Sequence, residues 1–512
     1  MITTSSPQTA VLWFRRDLRL HDHPALADAL GRADRIAPLF VIDPALITGR
    51  WRSPNRTWFM LASLAELAAS LEAAGSVLVV RAGRPELIVP AFAEEVGAAT
   101  VHVSRDYAPY GHARDQRVAA ALRRAGLVLH AAPGNLIHEP EDLATRAGTP
   151  YRVFGPFHRS WSTLPVRTPL AAPTVIPTDP VPARARSSVV TADGRILAWV
   201  GKLRELGVGP VDVEGLARPT ADPELVPDPG ESAARLRLAR WTRAHGDRPP
   251  RVLDYQRGRD LLGIDGTSRL SQDLRWGLLS PVEAATRVLT AGPGPGVHRF
   301  VAELAWRDFY AHVLWHDPGS ARRATRRAYD LVPWRDDEVG IAAWTGGRTG
   351  FPVVDAAMRQ LVATGWMHNR ARMIVASFLT KDLLVDWRVG EAWFMRHLLD
   401  GDPASNNGGW QWAASTGTDA QPYFRVFNPV AQGRRFDPDG AYVRRWVPEL
   451  AGVSVEYLQA PWTMPDAVQT ASRCRIGLDY PAPIVEHRDA RRRAIEAYAA
   501  IRDRRADGPG SR

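Results

Sequence analysis

A chain of 512 residues is too long for one compact core, so two or more domains are expected. Its hydrophobic share of 45% and charged share of 23% fit a soluble globular protein, and no run of about 18 apolar residues exists to span a bilayer. One cysteine, Cys474, excludes an intrachain disulfide and any multi-cysteine zinc or iron–sulfur centre. The opening MITTSSPQTA lacks a charged, then apolar, secretory pattern, so a cytoplasmic protein is expected. Basic residues outnumber acidic ones 65 to 55, a net charge of +10. Only Lys202 and Lys381 are lysines, so nearly all of that charge is arginine. A genome that prefers arginine accounts for part of this; the surplus also suits a polyanion such as nucleic acid. The 18 tryptophans are the more unusual count, because tryptophan stacks well and is readily oxidised by a neighbouring ring.

From residue 10 to about 140, short apolar runs alternate with amphipathic segments. Val11–Phe14, Ile36–Ile42, Val77–Val80, Thr100–Val103 and Leu127–His130 read as buried strands. Arg56–Ala74 and Pro85–Val96 carry helical periodicity. This alternation predicts an α/β domain over residues 1–140, built on a parallel, Rossmann-like sheet. No GxGxxG follows the first strand, so a dinucleotide held in the usual manner of that fold is not expected there. Between 141 and 230 prolines cluster (Pro165, Pro169, Pro173, Pro177, Pro180, Pro182, Pro219, Pro223, Pro227, Pro229). They predict an interdomain connector with one short helix near Ile196–Leu206. From 231 to 512 strand signals vanish, and an all-α domain is expected.

Several stretches carry chemistry. SRDYAPYGHARD, Ser104–Asp115, follows the fourth strand, where ligand loops of open α/β sheets lie. GTSRLS, Gly266–Ser271, places a glycine, hydroxyls and an arginine before a helical segment, a pattern that holds phosphate or simply caps the helix. In HRFVAELAWRDFY, Phe300, Glu303, Trp306, Arg307 and Tyr310 share one side of a helix. A carboxyl beside a large ring suits a flat heteroaromatic ligand; a Glu303–Arg307 ion pair on a half-buried face is the plainer alternative. The helical pattern of Met367–Trp387 puts Asn369, Arg372, Met373 and Ala376 on one face. Then Asp400, Asp402, Asn406 and Asn407 crowd among Gly401, Gly408 and Gly409, followed at once by Trp410 and Trp412. Such polar density among glycines and aromatics favours a large flat ligand.

Gly365–Phe427 closely resembles the flavin and substrate region of the DNA photolyase/cryptochrome family, in particular the class I cyclobutane pyrimidine dimer photolyases, and Trp13–Leu26 resembles the family's opening signature. The resemblance implies an all-α FAD-binding and DNA-binding domain behind an antenna-binding α/β domain. It implies FAD contacts at Tyr255, Thr267, Ser268, Arg269, Leu270, Ser271, Phe300, Arg372, Asp400, Asp402 and Asn406. Arg372 and Asp400 would pair along the ring and keep the reduced flavin anionic, while Asn406 would face its N5. Glu303 would bond the dimer's base edge, with Asn369, Met373, Trp306 and Trp412 positioning it. Arg259 and Arg370 would clamp phosphates, and Arg307 and Tyr310 belong to the same DNA face. Trp334, Trp387 and Trp410 match the family's tryptophan chain for electron transfer. Members with a folate antenna tend to show Asn-Glu where Gly111 and His112 stand, so a deazaflavin, or no antenna, is expected, with Arg56 and Asp106 as contacts.

The resulting expectation is a monomeric, light-dependent lyase acting on UV-damaged single- or double-stranded DNA, with the dimer flipped out and the electron supplied by excited reduced FAD. Two rivals stand beside it. A cryptochrome-type blue-light receptor would use the same cofactor, and the short arginine-rich stretch after Tyr480 argues against a signalling tail. A flavin-free, arginine-rich nucleic-acid-binding protein would need none of the cofactor residues.

Overall fold

The computed structural model describes residues 7–178 and 220–506. The helix expected near Ile196–Leu206, with Pro180, Pro182 and Pro219, lies outside the described residues. Five parallel strands form one sheet in the order β3-β2-β1-β4-β5: β1 Thr9–Phe14, β2 Arg35–Ile42, β3 Val79–Ala82, β4 Ala98–Ser104 and β5 Val128–Ala132. Each coincides with a predicted strand, β3 displaced two residues towards the C-terminus. The strand order reverses between β1 and β4, so the crevice beyond their C-terminal ends is the place where an open α/β sheet takes ligands.

Alternation along β1 divides the sheet's two faces. Val11 and Trp13 join Leu39, Phe92, Val101 and Val118 under the helices Pro85–Glu95 and Pro109–Arg124. Ala10, Leu12 and Phe14 point the other way, into a core that continues through Phe59 and Leu64 of the helix Pro54–Ala73 to Leu274, Phe300 and Phe309. One apolar core therefore passes from the α/β half into the helical half, and the sheet depends on that half to bury its second face. The helices Pro24–Arg32 and Pro109–Arg124 were not expected from periodicity. The second is arginine-rich and buries only Gly111, Arg114, Val118 and Leu122, a stripe too narrow to register as amphipathic. The loop after β4 consequently ends at Ala108 rather than extending to Asp115.

After β5 the described residues contain helices and no further strand of the sheet. The connector includes a helix, Phe154–Trp161, which packs on the long helix Pro295–His316. The helix expected over Met367–Trp387 is divided into three pieces. An α-helix, Asn369–Ser377, runs into one π-turn at Phe378–Asp382; Leu384 is left-handed at φ +54°, and Asp386 caps a new helix, Trp387–His397. Two buried side chains hold the turn open. Lys381 Nζ donates to Ser415 Oγ at 2.9 Å, and Asp382 pairs with His487 Nδ1 at 2.6 Å. No helix among the described residues is long and apolar enough to cross a membrane.

Candidate active site

The site is built on the helix Pro403–Ala413, against which Pro295–His316, Asn369–Ser377 and Trp387–His397 all pack. Gly408 and Gly390 make that convergence possible. A Cβ at Gly408 would strike the ring of Tyr310, and one at Gly390 the indole of Trp410. The sequence-predicted residues Glu303, Trp306, Tyr310, Asn369, Arg372, Met373 and Asp400 to Trp412 therefore belong to one neighbourhood.

Arg372 donates from Nη2 to Asp400 Oδ2 at 2.8 Å and from Nε to the carbonyl of Met367 at 2.9 Å. The other carboxylate oxygen of Asp400 is buried without a partner. Such an oxygen is costly unless something outside the chain bonds it. Asn406 donates Nδ2 to the carbonyl of Glu391 at 3.1 Å, which leaves its amide oxygen as the free end. Asn369 is exposed, with Nδ2 3.9 Å from Met373 Sδ, the i, i+4 neighbour expected on that face. Tyr255 and Phe300 are buried edge to face at 5.3 Å, and the Arg259 guanidinium lies over the Tyr255 ring at 5.4 Å. In the GTSRLS run Leu270 is buried, Thr267 and Ser268 are half-buried, and Arg269 and Ser271 are exposed. Arg269, left-handed at φ +51°, lays its guanidinium 4.9 Å from the Trp366 ring centre.

Trp366 and His368 were not singled out from sequence, yet they border one cavity with Thr267 and Arg269. His368 Nδ1 caps the helix by accepting from Arg370 N, while its Nε2 is buried and unpartnered. Burial pushes this imidazole down to about 4, so it is neutral. The signal was available in GWMH, immediately ahead of Asn369.

The acidic residue on the long helix does not pair as the plainer alternative supposed. Glu303 is bridged by Arg259 and by Arg299, the latter at 2.9 Å, rather than by Arg307. Arg307 turns inward: Nη1 donates to the carbonyl of Asn135 at 2.6 Å, and the side chain borders a cavity between the two halves. On the helix it lies about 40° from Glu303, so it is the bond to Asn135, in the other half of the chain, and not its position on the helix that draws it inward. Arg370 bonds Asp260 at 3.0 Å over the Phe436 ring, within the helical half. Trp412 is half-buried on the same helix as Asn406 and Trp410.

Asp402 behaves differently from Asp400. Its Oδ1 caps the helix by accepting from Ala404 N and Ser405 N, both at 3.0 Å, and its Oδ2 takes Arg16. Burial opposes its charge, but Arg16, then Arg275 and Arg307, hold the carboxyl well below the usual range. One oxygen thus caps its own helix and the other ties the two halves together. Asp106 joins the same network through Arg16 at 3.5 Å and Arg114 at 3.3 Å. Arg56 is no antenna contact in this arrangement: its guanidinium donates to the carbonyls of Trp51, Met395 and Leu398, tying Pro54–Ala73 to Trp387–His397. Trp410 has Phe394 and Trp344 as ring partners, Trp387 is buried beneath Arg388, and half-buried Trp334 meets Tyr498 edge-on at 6.1 Å.

The residues fit FAD. Asp400 Oδ1, Asn406 Oδ1, His368 Nε2 and the hydroxyls of Thr267, Ser268 and Ser271 present donors and acceptors without partners among the described residues, bordered by Arg372, Arg269 and aromatic rings. Known proteins show the family to which such a site belongs. Residues 300–500 match the FAD binding domain of DNA photolyase, and residues 10–175 match the domain described as DNA photolyase. A deoxyribodipyrimidine photo-lyase of Synechococcus sp. is 39% identical over 93% of each chain. The structure of a bacterial class III photolyase from Agrobacterium tumefaciens superposes with a TM-score of 0.86 at 37% identity, covering 98% of this chain and 99% of that one. A Synechocystis cryptochrome does so at 0.84 and 30% identity, covering 97% and 100%. With both domains matched and identity of this order along nearly its whole length, the chain belongs to the DNA photolyase family.

Proposed function

We propose that this protein is a light-driven DNA repair lyase that splits cyclobutane pyrimidine dimers. The observation that carries the reading is Asp400: a buried carboxylate, bonded to Arg372 through one oxygen only, the other left without a partner. FAD, when bound in its reduced form, supplies one electron to the dimer on illumination and receives it back. The rest of the work belongs to this chain's residues. Arg372 and Asp400 would hold the ring edge and favour its anionic form, and the Asn406 amide, which neither gives nor takes a proton, would border the ring. Tyr255, Phe300, Thr267, Ser268, Ser271 and Arg269 border the rest of the cofactor. Glu303, steadied by Arg259 and Arg299, accepts from the base edge, and Trp306, Asn369, Met373 and Trp412 fix the two bases. The dimer leaves the duplex to reach them, at a cost of a few kcal/mol that its disturbed stacking lowers. Arg370 faces the strand's phosphates. Trp410, Trp387 and Trp334 would supply the oxidisable rings for electron transfer between the cofactor and the surface. The enzyme is read as a cytoplasmic monomer.

An antenna, where one is bound, is a deazaflavin rather than a folate. A side chain at Gly111 would strike the Asp106 carboxylate, and His112 packs edge-on against Trp315 at 4.7 Å. Neither position offers the amide and carboxylate of the Asn-Glu pair that folate-binding members tend to carry.

The test is reversal of thymine dimers in oligothymidylate under blue light, with a dark control. Repair is expected in the light alone, falling about tenfold or more in Glu303→Ala, as for loss of a charge-assisted hydrogen bond. Equal conversion in light and dark overturns the photolyase reading and leaves the photoreceptor. A purified protein without flavin absorption leaves the nucleic-acid-binding alternative.

A further inference from the structure

Phe154 opens the connector helix Phe154–Trp161, a segment with no part in the site as described so far. Its ring lies on the Trp306 indole with centroids 3.7 Å apart and planes 9° from parallel. Aromatic quadrupoles prefer offset or edge-on contacts to a close sandwich, so the surroundings must hold this pair. Phe309 stands edge-on to both rings, at 5.7 Å and 5.6 Å. The backbone N–H of Phe154 donates to Asp419 Oδ2 at 3.0 Å, and Thr418 Oγ1 donates to the carbonyl of Arg152. Asp419 is left-handed at φ +47°, a conformation that Asp and Asn accept more readily than other side chains.

The loop that bears Asp419 hangs from the second tryptophan of the cleft. Ser415 N and Gln421 N both donate to the carbonyl of Trp412, each at 3.2 Å, closing the loop on that residue. A continuous path therefore runs from Trp412 through the loop to Asp419, across one hydrogen bond to Phe154, and through the stacked rings to Trp306. Phe154 also covers one face of the indole, leaving a planar base only the other.

We infer that Phe154 and Asp419 are positioning residues for lesion recognition, fixing the plane of Trp306 and its separation from Trp412 so that two joined pyrimidines are preferred to ordinary bases. The inference rests on the reading of Trp306 and Trp412 as walls of the dimer pocket. Its test uses the full-length, FAD-loaded protein and compares affinity for an oligonucleotide with one thymine dimer against the same sequence undamaged. In Phe154→Leu and in Asp419→Ala the preference for the dimer is expected to fall about tenfold, the upper range of an aromatic pair. The flavin spectrum and the repair yield at saturating dimer stay as in the unsubstituted protein. Phe154→Tyr and Asp419→Asn, which keep the ring and the acceptor, restore the preference to within about twofold. Asp419→Ala gives an independent reading should Phe154→Leu not fold. Undiminished preference in the Leu and Ala variants overturns the inference. So does tighter dimer binding by Phe154→Leu, which would place the Phe154 ring where a base belongs. If the unsubstituted protein shows no light-dependent repair, the reading of the site fails first and this inference with it.

Discussion

Two groups of arginines divide the work that net charge merges. Arg16, Arg19, Arg56 and Arg307 each bond across the junction of the halves, to Asp402, Gly277, Met395 and Asn135. Arg19 alone donates to the carbonyls of Asp22, Gly134 and Gly277, the last from the other half of the chain. A rigid fork of five donors can satisfy several carbonyls at once, which a lysine ammonium cannot do in the same geometry. Arg259, Arg299 and Arg370 instead stand around the cleft, each against a carboxylate of the helical half. The first group holds the fold together; the second faces whatever enters. A surplus of +10 says nothing about this division, because both roles use the same residue.

The strongest way to break the comparison is to remove one cation from each group. Arg16→Met leaves Asp402 and Asp106 short of their shared partner in a buried place, and is expected to cost about 3–5 kcal/mol of stability. Arg370→Met removes a pair with a partly exposed aspartate and is expected to cost about 1 kcal/mol or less. Denaturant unfolding of the two variants measures both. Similar losses would mean that the junction is no more dependent on arginine than the rim is.

A second prediction sharpens the contrast on the carboxylate side. Asp402, surrounded by arginines, is held low, whereas Glu391, across the same helix, has chiefly the Asn407 amide as partner at 3.1 Å. Burial pushes Glu391 up to about 7. The signs follow from linkage. A depressed carboxyl contributes stability above its unfolded value that is lost as pH falls through its folded value; a raised one contributes stability at low pH that is lost as pH rises towards its folded value. Asp402 therefore weakens the protein only in acid, while Glu391 weakens it between about pH 4.5 and 7. Glu391→Gln keeps an acceptor for Asn407 and does not ionise. Relative to the unsubstituted protein it should gain at most about 3 kcal/mol between pH 5 and pH 8. Denaturant midpoints that differ equally at the two pH values would show that Glu391 is solvated as a free carboxylate.

Much of this was legible in the residues. The five strands announced themselves because a sheet covered on both faces writes continuous apolar runs, and Arg372–Asp400 was found at the predicted pairing. What escaped did so for definable reasons. Helix Pro109–Arg124 hides because it buries two glycine- or arginine-bearing positions for every two aliphatic ones. The break after Ser377 is decided by Lys381 and Asp382, whose partners Ser415 and His487 lie far along the chain. The resemblance set Arg307 and Asp402 beside ligands, and local spacing could not show that they also bridge the halves. Their partners, Asn135 and Arg16, lie in the other half of the molecule. Phe154 carried no signal, since its role exists only once Trp306 is folded against it.

The smallest expected effect is also the cleanest test of the arginine division, because it counts ions rather than energy. Each phosphate that a cation neutralises adds about 0.9 to the slope of log K against log salt on duplex DNA, and about 0.7 on a single strand. Arg370→Met should lower that slope by somewhat less than one such increment, since Asp260, 3.0 Å away, already offsets part of its charge. Arg307→Met should leave the slope unchanged although it weakens the junction, because a guanidinium bonded to Asn135 and turned towards Asp402 meets no phosphate. Equal slopes for the two variants would place Arg307 back on the DNA face. A loss of folded protein lowers K at every salt concentration alike, so the slope separates a cation that binds the strand from one that merely holds the protein that binds it.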